Sequence, residues 1–280
     1  MNSLLHLLNN RITRWTLLPL ISLMYWRKGK GLAKVRFHSR FRAWEYRLRG
    51  VVYLSPGPGW AYEYNYLTKL LKDTYYKYFT PVPGNCIIDI GAGLGEETLI
   101  FAQDVGPTGK IFAIEANPVT AMALEYACRE NHFNQVTVLN LAVAAEAGTV
   151  EIEDNPQMYV GNTLGRTERT QHTLTVKAMS LDELVAKYDI RQIDLLKSNI
   201  EGAEQFLIQG MEKSLGILRQ AVISCHDFRH VHNHESEFYV TREKVIRFFE
   251  EHGFEVRLNP TGHVVNDDMV YAFNKKMIRG

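Results

Sequence analysis

The sequence predicts an α/β protein with a Rossmann-like, doubly wound, seven-stranded sheet that follows a basic, helical N-terminal extension. Three observations predict it. Short β-branched runs alternate with helix-like segments from residue 85 onward. A glycine-rich turn follows the first of these runs, in NCIIDIGAGLGEETLIF (85–101). Residues 1–50 hold eleven Lys/Arg and a single acid, Glu45, whereas the other 230 residues hold 21 Lys/Arg and 30 Asp/Glu. This asymmetry sets a basic extension, residues 1–65, apart from an acidic domain, residues 66–280.

The extension contains an uncharged run, WTLLPLISLMYW (15–26), between basic residues. Twelve residues are too few for a transmembrane helix, which needs roughly 20. Aromatic ends and dense Lys/Arg predict that residues 11–49 lie on an anionic membrane surface. The alternative is a helix that packs on the domain through Leu17, Leu18, Leu20, Ile21 and Met24. No nucleic-acid-binding motif accompanies the basic residues, so nucleic acid is not expected as a partner.

The three cysteines are widely spaced and match neither a disulfide framework nor a zinc motif. They predict buried thiols in a reducing compartment, and hence a cytoplasmic protein that is at most peripheral to the membrane.

From residue 62 onward, segments with the periodicity of a helix alternate with segments with the periodicity of a strand. Helices are predicted at 62–79, 96–105, 118–131, from 180 (where Ser180 and Glu183 form a capping box), 203–215 and 241–252. Strands are predicted at 86–90, 110–116, 135–143, 173–179, 193–199 and 220–228, and the pair 253–258 and 268–275 predicts a hairpin at one edge. The polar section 145–171 is expected to be a hairpin and a loop.

The glycine turn identifies the kind of ligand. Gly91, Gly93 and Gly95 end the first strand, where backbone with positive φ lets a ligand approach a helix N-terminus. The dinucleotide fingerprint is G-x-G-x-x-G, whereas this turn reads G-x-G-x-G and continues with Glu96. A carboxylate there would repel a pyrophosphate, and Asp89 ends the same strand. Both acids favour a positively charged adenosyl ligand.

Glu115 ends the second strand, at the position where a carboxylate receives both hydroxyls of a ribose. Such a charge-assisted pair contributes roughly 1.5–3 kcal/mol. Asn117 and Asn140, at neighbouring strand ends, are candidates for hydrogen bonds to the adenine or ribose, and either is equally suited to a turn.

Over about residues 84–275 the sequence resembles the FkbM-type family of S-adenosylmethionine-dependent methyltransferases. The resemblance rests on IIDIGAGLGEETLIFA, GKIFAIEANP, LNLAVAAEAGTVEI, SLDEL and IDLLKSNIEGAEQFLIQG. It implies S-adenosyl-L-methionine as cofactor. Together, the turn and the resemblance predict these cofactor-binding residues: Asp89, Gly91, Ala92, Gly93, Gly95, Glu96, Thr98, Glu115, Asn117 and Asn140.

The segment after the fourth strand of the family fold usually reads K-x-D-x-E-G-A-E, and here Lys197, Glu201 and Gly202 match it. The family's Asp falls at Asn199, and an amide can neither accept a proton nor bind a divalent metal as a carboxylate does. The resemblance thus places Lys197, Asn199 and Glu201 at the active-site edge. No metal site is predicted, and HVHNH (230–234) is interpreted as a solvated loop.

His226 lies near the end of a predicted strand and is the best candidate for the general base that an alcohol nucleophile needs, with Glu201 or Asp227 as alternatives. The expected function is methyl transfer from S-adenosylmethionine to an oxygen of a sugar or another alcohol. Two alternatives stay open: an NAD-binding Rossmann oxidoreductase, and a catalytically impaired cofactor-binding module anchored to a membrane or a partner.

Overall fold

The central element is a seven-stranded sheet with helices on both faces. The computed structural model describes residues 19, 21–23, 26–27, 33–48, 50–57, 64–154 and 172–278. The strands of the central sheet are β4 (Cys86–Ile90), β5 (Lys110–Ile114), β6 (Val136–Leu139), β10 (Leu195–Asn199), β11 (Gln220–Ser224), β12 (Phe254–Leu258) and β13 (Met269–Asn274). Their order is β12-β13-β11-β10-β4-β5-β6. This confirms the predicted doubly wound sheet.

Strand order reverses between β4 and β10. From β4 the chain runs outward through β5 and β6, and it then returns to β10 and β11 on the other side. These five strands are parallel, whereas β13 is antiparallel to both β11 and β12. The last two strands therefore form the predicted edge hairpin. The carboxyl ends of β4 and β10 lie at a topological switch point, where open α/β sheets bind their ligands.

The helices cover both faces of the sheet. They are α1 (Tyr64–Asp73), α2 (Glu96–Val105), α3 (Pro118–Glu130), α4 (Leu181–Lys187), α5 (Glu204–Gln209), α6 (Asp227–Val231), α7 (Arg242–Glu251), α8 (Val264–Asp267) and α9 (Lys275–Ile278). Short 3₁₀ turns span Glu212–Ile217 and Glu237–Tyr239. Two clusters of buried apolar side chains fill the space between helices and sheet, one on each face. The predicted helix 203–215 is therefore α5 followed by a 3₁₀ turn.

The extension differs from its prediction. The described residues between 19 and 27 are helical, but residues 34–55 form an antiparallel sheet of β1 (Lys34–His38), β2 (Ala43–Leu48) and β3 (Val51–Ser55). The expectation of a helical extension is wrong for this part. Trp44 and Tyr46 are fully buried in the same cluster as Leu99 and Leu124 of the domain, so these aromatic residues among the arginines serve as core.

The predicted strand 135–143 is broken at Asn140, and its second part, β7 (Ala142–Val143), leaves the central sheet. A separate small sheet has the order β7-β9-β8, with β8 at Gly148–Glu153 and β9 at Thr173–Met179. The predicted strand 173–179 is correct in its bounds, yet it pairs outside the main sheet. Residues 155–171, in the predicted hairpin and loop, lie outside the described residues, as do Leu17, Leu18, Leu20 and Met24.

Candidate functional site

The glycine turn lies at the switch point and touches the neighbouring strand. Gly91 has φ +71°, and its backbone N–H donates to Ile114 O at 2.9 Å, as does that of Ala92 at 3.0 Å. A Cβ atom on Gly91 would lie 2.0 Å from the carbonyl oxygen of Asn199. The close approach of β4 and β10 therefore requires glycine here.

Gly95 brings α2 close to α3. It stands at the N-cap of α2 with φ +94°, and a Cβ atom on it would lie 2.5 Å from Leu124 Cδ1. No side chain caps α2, so N–H groups of its first turn are left for a ligand or solvent. The sequence therefore places a tightly packed helix N-terminus, with partial positive charge, beside the turn.

The Glu115 carboxylate joins the turn to the next strand. Gly93 N–H donates to Glu115 Oε2 at 2.9 Å, and Asn117 N–H donates to Oε1 at 2.8 Å. Burial raises the pKa of Glu115, and these two bonds act against that rise. Each carboxylate oxygen can accept a second hydrogen bond. The half-buried group is thus oriented to receive two hydroxyls, as the ribose prediction requires.

The two asparagines act as turn residues. Asn117 is buried, and its Oδ1 accepts from Val119 N and Thr120 N, which caps α3. Asn140 is exposed, and its Nδ2 donates to the carbonyls of Glu115 and Ala116 at 3.0 and 2.9 Å. The structure therefore favours the alternative interpretation of both residues: they brace the strand end that presents Glu115.

Lys197, Asp89 and Thr98 form a buried group under the turn. Lys197 Nζ lies 2.8 Å from Asp89 Oδ1 and donates to the Gly91 carbonyl at 2.9 Å, and Thr98 Oγ1 donates to Asp89 Oδ2 at 2.5 Å. Asp89 raises the pKa of Lys197 against its burial. All three side chains are fully buried. Their burial leaves no side-chain atom exposed to a cofactor or substrate. The structure therefore does not support the predicted catalytic role of Lys197 or direct cofactor contacts of Asp89 and Thr98. These groups support the turn from beneath it.

Two carboxylates crowd the start of α2. Burial and the neighbouring Glu97 raise the pKa of Glu96 to about 8, and burial raises that of Glu97. Lys197 Nζ lies 4.0 Å from Glu97 Oε2, but it already forms a closer ion pair with Asp89. We call Gly91–Gly95, Glu96, Glu97 and Glu115 the glycine-turn side of the site. It is a place where a positive ligand would be stabilised.

The other side of the switch point, the histidine side, comprises Asn199, Glu201, His226 and Arg229. Asn199 ends β10, and Glu201 follows with φ +52°. His226 follows β11 and is buried, with Nδ1 2.9 Å from Glu204 Oε1 and Nε2 3.5 Å from Glu201 Oε1. The sheet therefore brings Asn199, Glu201 and His226 together, as predicted, one strand away from Gly91.

His226 is held as a cation. Glu201 and Glu204 raise its pKa to about 10, more than burial lowers it. At neutral pH the ring carries both protons and cannot accept another, so this geometry disfavours the predicted general-base role. The partly exposed Glu201 carboxylate is the group with acceptor capacity, and the charges of His226 and Arg229 lower its pKa against the effect of burial.

Sequence reasoning missed Glu204 and Arg229. Glu204 is fully buried and accepts from Thr241 Oγ1 at 3.0 Å as well as contacting His226. The Arg229 guanidinium pairs with Glu201 and Glu235 and lies 3.9 Å from the Tyr239 ring centroid. Glu204 is the last acid of the quoted EGAE segment, and that was the available signal. Nothing in the sequence marked Arg229, because its partner at the site, Glu201, lies 28 residues away along the chain.

The histidine-rich segment 230–234, predicted as a loop, begins in α6 and continues as a turn, and it builds no metal site within the described residues. His232 and His234 are exposed, and His230 Nδ1 lies 2.8 Å from the Glu235 carbonyl. Across the described part of the chain, no group of three or more His, Cys, Asp or Glu side chains is placed to hold a metal ion. No helix among the described residues is long and apolar enough to cross a bilayer.

Residues 89–256 match the family model of the methyltransferase FkbM domain. A curated relative, the hexuronic acid methyltransferase AglP of Haloferax volcanii, is 25% identical over 141 residues, which cover 49% of this chain and 54% of the relative. The chain thus spans about half the length of that relative.

Among solved structures, a methyltransferase FkbM from Methylobacillus flagellatus KT aligns over 76% of this chain and 50% of its own, with a TM-score of 0.46 at 13% identity. Aeropyrum pernix fibrillarin, solved with bound S-adenosyl-L-methionine, aligns over 85% and 97%, with a TM-score of 0.43 at 15% identity. The family match, which spans more than half of the chain and both sides of the site, carries the conclusion: the protein belongs to the FkbM methyltransferase family.

Proposed function

We propose that the protein is an S-adenosylmethionine-dependent O-methyltransferase that acts on a hydroxyl of a sugar or another alcohol. Family membership supports methyl transfer. The observation that carries the cofactor assignment is the Glu115 carboxylate, fixed by the N–H groups of Gly93 and Asn117 beside an acid-lined helix N-terminus. A ligand with a ribose diol and a positive charge satisfies both features.

The residues present fit that cofactor. Glu115 would accept the two ribose hydroxyls, the backbone from Gly91 to Gly95 would lie against the ligand, and Glu96 and Glu97 would face its positive groups. The bound cofactor supplies an electrophilic methyl group on a sulfonium, which is already a good leaving group. The chain's own contribution is alignment of the two partners, which alone can lower a barrier by roughly 7–11 kcal/mol.

The acceptor would lie on the histidine side. Glu201 offers a carboxylate that is ionised at neutral pH and pinned by His226 and Arg229, so it would accept the hydrogen bond of the attacking hydroxyl and orient its oxygen. Asn199 has an amide in place of the family's acid, and it would hydrogen-bond the acceptor without taking its proton. The related hexuronic acid methyltransferase supports a sugar acceptor.

Calorimetry tests the cofactor assignment, with S-adenosylmethionine as the probe and NAD as the comparison. S-adenosylmethionine should bind and NAD should not, because the carboxyl groups of Glu96 and Glu97 favour a cation and oppose a pyrophosphate. Binding of NAD, and no binding of S-adenosylmethionine, would establish the oxidoreductase alternative.

Turnover tests the reaction. With S-adenosylmethionine and glycosides of glucuronic acid or neutral hexoses, mass spectrometry should detect a methyl ether on a sugar oxygen. Cofactor binding without methylation of any offered alcohol would favour the catalytically impaired module. We also propose that the extension brings this enzyme to an anionic membrane surface, beside membrane-borne acceptors.

A further inference from the structure

The described extension carries many cations and a single acid. Its sole acid up to residue 57, Glu45, has a side chain that is 3% exposed. It is surrounded by Arg36, His38 and Arg47 at 2.8, 2.5 and 2.6 Å, and it accepts from Tyr126 at 2.7 Å. These bonds keep the pKa of Glu45 at about 2. The carboxylate therefore offsets charge on Arg36, His38 and Arg47, and neither Arg27 nor Lys34 is among its described partners.

The helical residues of the extension have one face on the domain and one face outward. Ile21 is 7% exposed and belongs to the main apolar cluster, whereas Leu23 is 47% and Trp26 58% exposed. Leu23, Trp26 and Arg27 all have helical backbone. Arg27 is exposed too.

A hydrogen bond joins this helical segment to the residue that precedes β1, the edge strand of the extension's sheet. Ser22 Oγ donates to the Ala33 carbonyl at 2.7 Å. The residues that follow this bonded pair along the chain are Leu23 and Lys34, so an exposed leucine and an exposed lysine lie in the same neighbourhood. The described part of the extension therefore combines exposed apolar side chains with exposed cations, while Ile21 packs in the core.

We propose that Leu23, Trp26, Arg27 and Lys34 form a docking face for an anionic lipid bilayer. Tryptophan and leucine are side chains that enter the acyl–headgroup boundary, and the flanking cations meet phosphate and carboxylate headgroups. A nucleic acid would use the cations but would leave Leu23 exposed to water. This inference extends the proposed membrane attachment, and it holds whichever acceptor the enzyme uses.

Vesicle sedimentation of the full chain tests the proposal, with phosphatidylcholine vesicles that contain phosphatidylserine and with phosphatidylcholine alone. Wild type should sediment with the former and be released by high salt. Leu23→Glu/Trp26→Glu should weaken binding at least tenfold. The matched control, Leu258→Glu/Val264→Glu, makes the same change at residues of 43% and 42% exposure and should bind as wild type does.

A second pair separates the charges from the apolar contacts. Arg27→Glu/Lys34→Glu should weaken binding to anionic vesicles, whereas Lys213→Glu/Lys244→Glu should not. Affinity of every variant for S-adenosylhomocysteine serves as the check of folding and should match wild type, so failure of docking is distinguishable from failure of the methyltransferase proposal. The proposal is overturned if the two control pairs weaken binding as much as the two test pairs do. It is also overturned if the wild type does not bind anionic vesicles. Loss of RNA binding with intact vesicle binding in the Arg27/Lys34 variant also overturns it and assigns these cations to nucleic acid.

Discussion

The two sides of the switch point handle their carboxylates in opposite ways. On the glycine-turn side, backbone N–H groups hold Glu115, and Glu96 and Glu97 share one distant cation, Lys197. On the histidine side, Glu201 contacts both His226 and Arg229. Accordingly the pKa of Glu96 rises to about 8, whereas that of Glu201 falls. Under the proposed function, a positive ligand would balance the charge of the first side, whereas the second side already has its cations and would receive a neutral hydroxyl.

The largest expected effect tests whether Lys197 is the buried counter-ion of Asp89 on the glycine-turn side. Lys197→Met leaves Asp89 buried without its cation, and loss of one partner of a buried pair costs about 3–5 kcal/mol. Urea unfolding should show that loss, and Asp89→Asn/Lys197→Met should recover most of it because no charge then remains unpaired. Lys110→Met, at an exposed lysine that begins β5, is the control and should cost little. Equal stability of Lys197→Met and the control would remove Lys197 from this role.

The second test concerns the contact between the two sides. Gly91→Ala places a methyl group against the Asn199 carbonyl and forces alanine to a positive φ, which together cost about 2–5 kcal/mol. Gly253→Ala has the same backbone penalty, at φ +81°, but nothing within 4 Å of the added methyl. Thermal unfolding should therefore show a much larger loss for Gly91→Ala. Equal losses would mean that the strands can separate at the switch point.

The sequence predicted the glycine-turn side far better than the histidine side or the extension. Gly91, Gly95 and Glu115 are recognisable because their roles depend on local backbone and fixed spacing. The roles of His226 and Arg229 depend on charges from Glu201, Glu204 and Glu235, which only the fold brings near, so a pKa of His226 near 10 could not be read from its neighbours along the chain.

The prediction of a helical extension was wrong for a related reason. An apolar run among cations fits a membrane face and a core face equally well. Trp44 and Tyr46 become core residues because β2 packs between β1 and β3 within the cluster shared with the domain. Pairing of strands over such distances is a tertiary property, and the same holds for β9, whose bounds were predicted while its sheet was not.

Substitution of Glu115 tests whether the glycine-turn side binds the cofactor. Glu115→Ala removes the acceptor for two ribose hydroxyls, so affinity for S-adenosylhomocysteine should fall at least tenfold, or about 1.4 kcal/mol. Calorimetry measures this, with the exposed Glu146→Ala as the control of equal charge change. Glu201→Gln, on the histidine side, should leave that affinity unchanged and lower turnover instead. A cofactor affinity that Glu115→Ala leaves intact would mean that the carboxylate only ties the turn to α3.

The smallest effect comes from the proton on His226. Its pKa is about 10 in the folded protein against 6.5 ordinarily, so its ionic contribution is fully present below pH 6.5 and is lost as pH rises through 10. Within this window the folded state binds the extra proton, and stability should fall with pH by about 1 kcal/mol per unit. The surrounding charges do not mask this, since Glu201 stays ionised and Arg229 stays charged throughout. The measurement is the free energy of unfolding at pH 7, 8 and 9 for wild type and His226→Gln, in which that part of the slope should disappear. Parallel profiles would mean that His226 is neutral, and the predicted general base would then return to consideration.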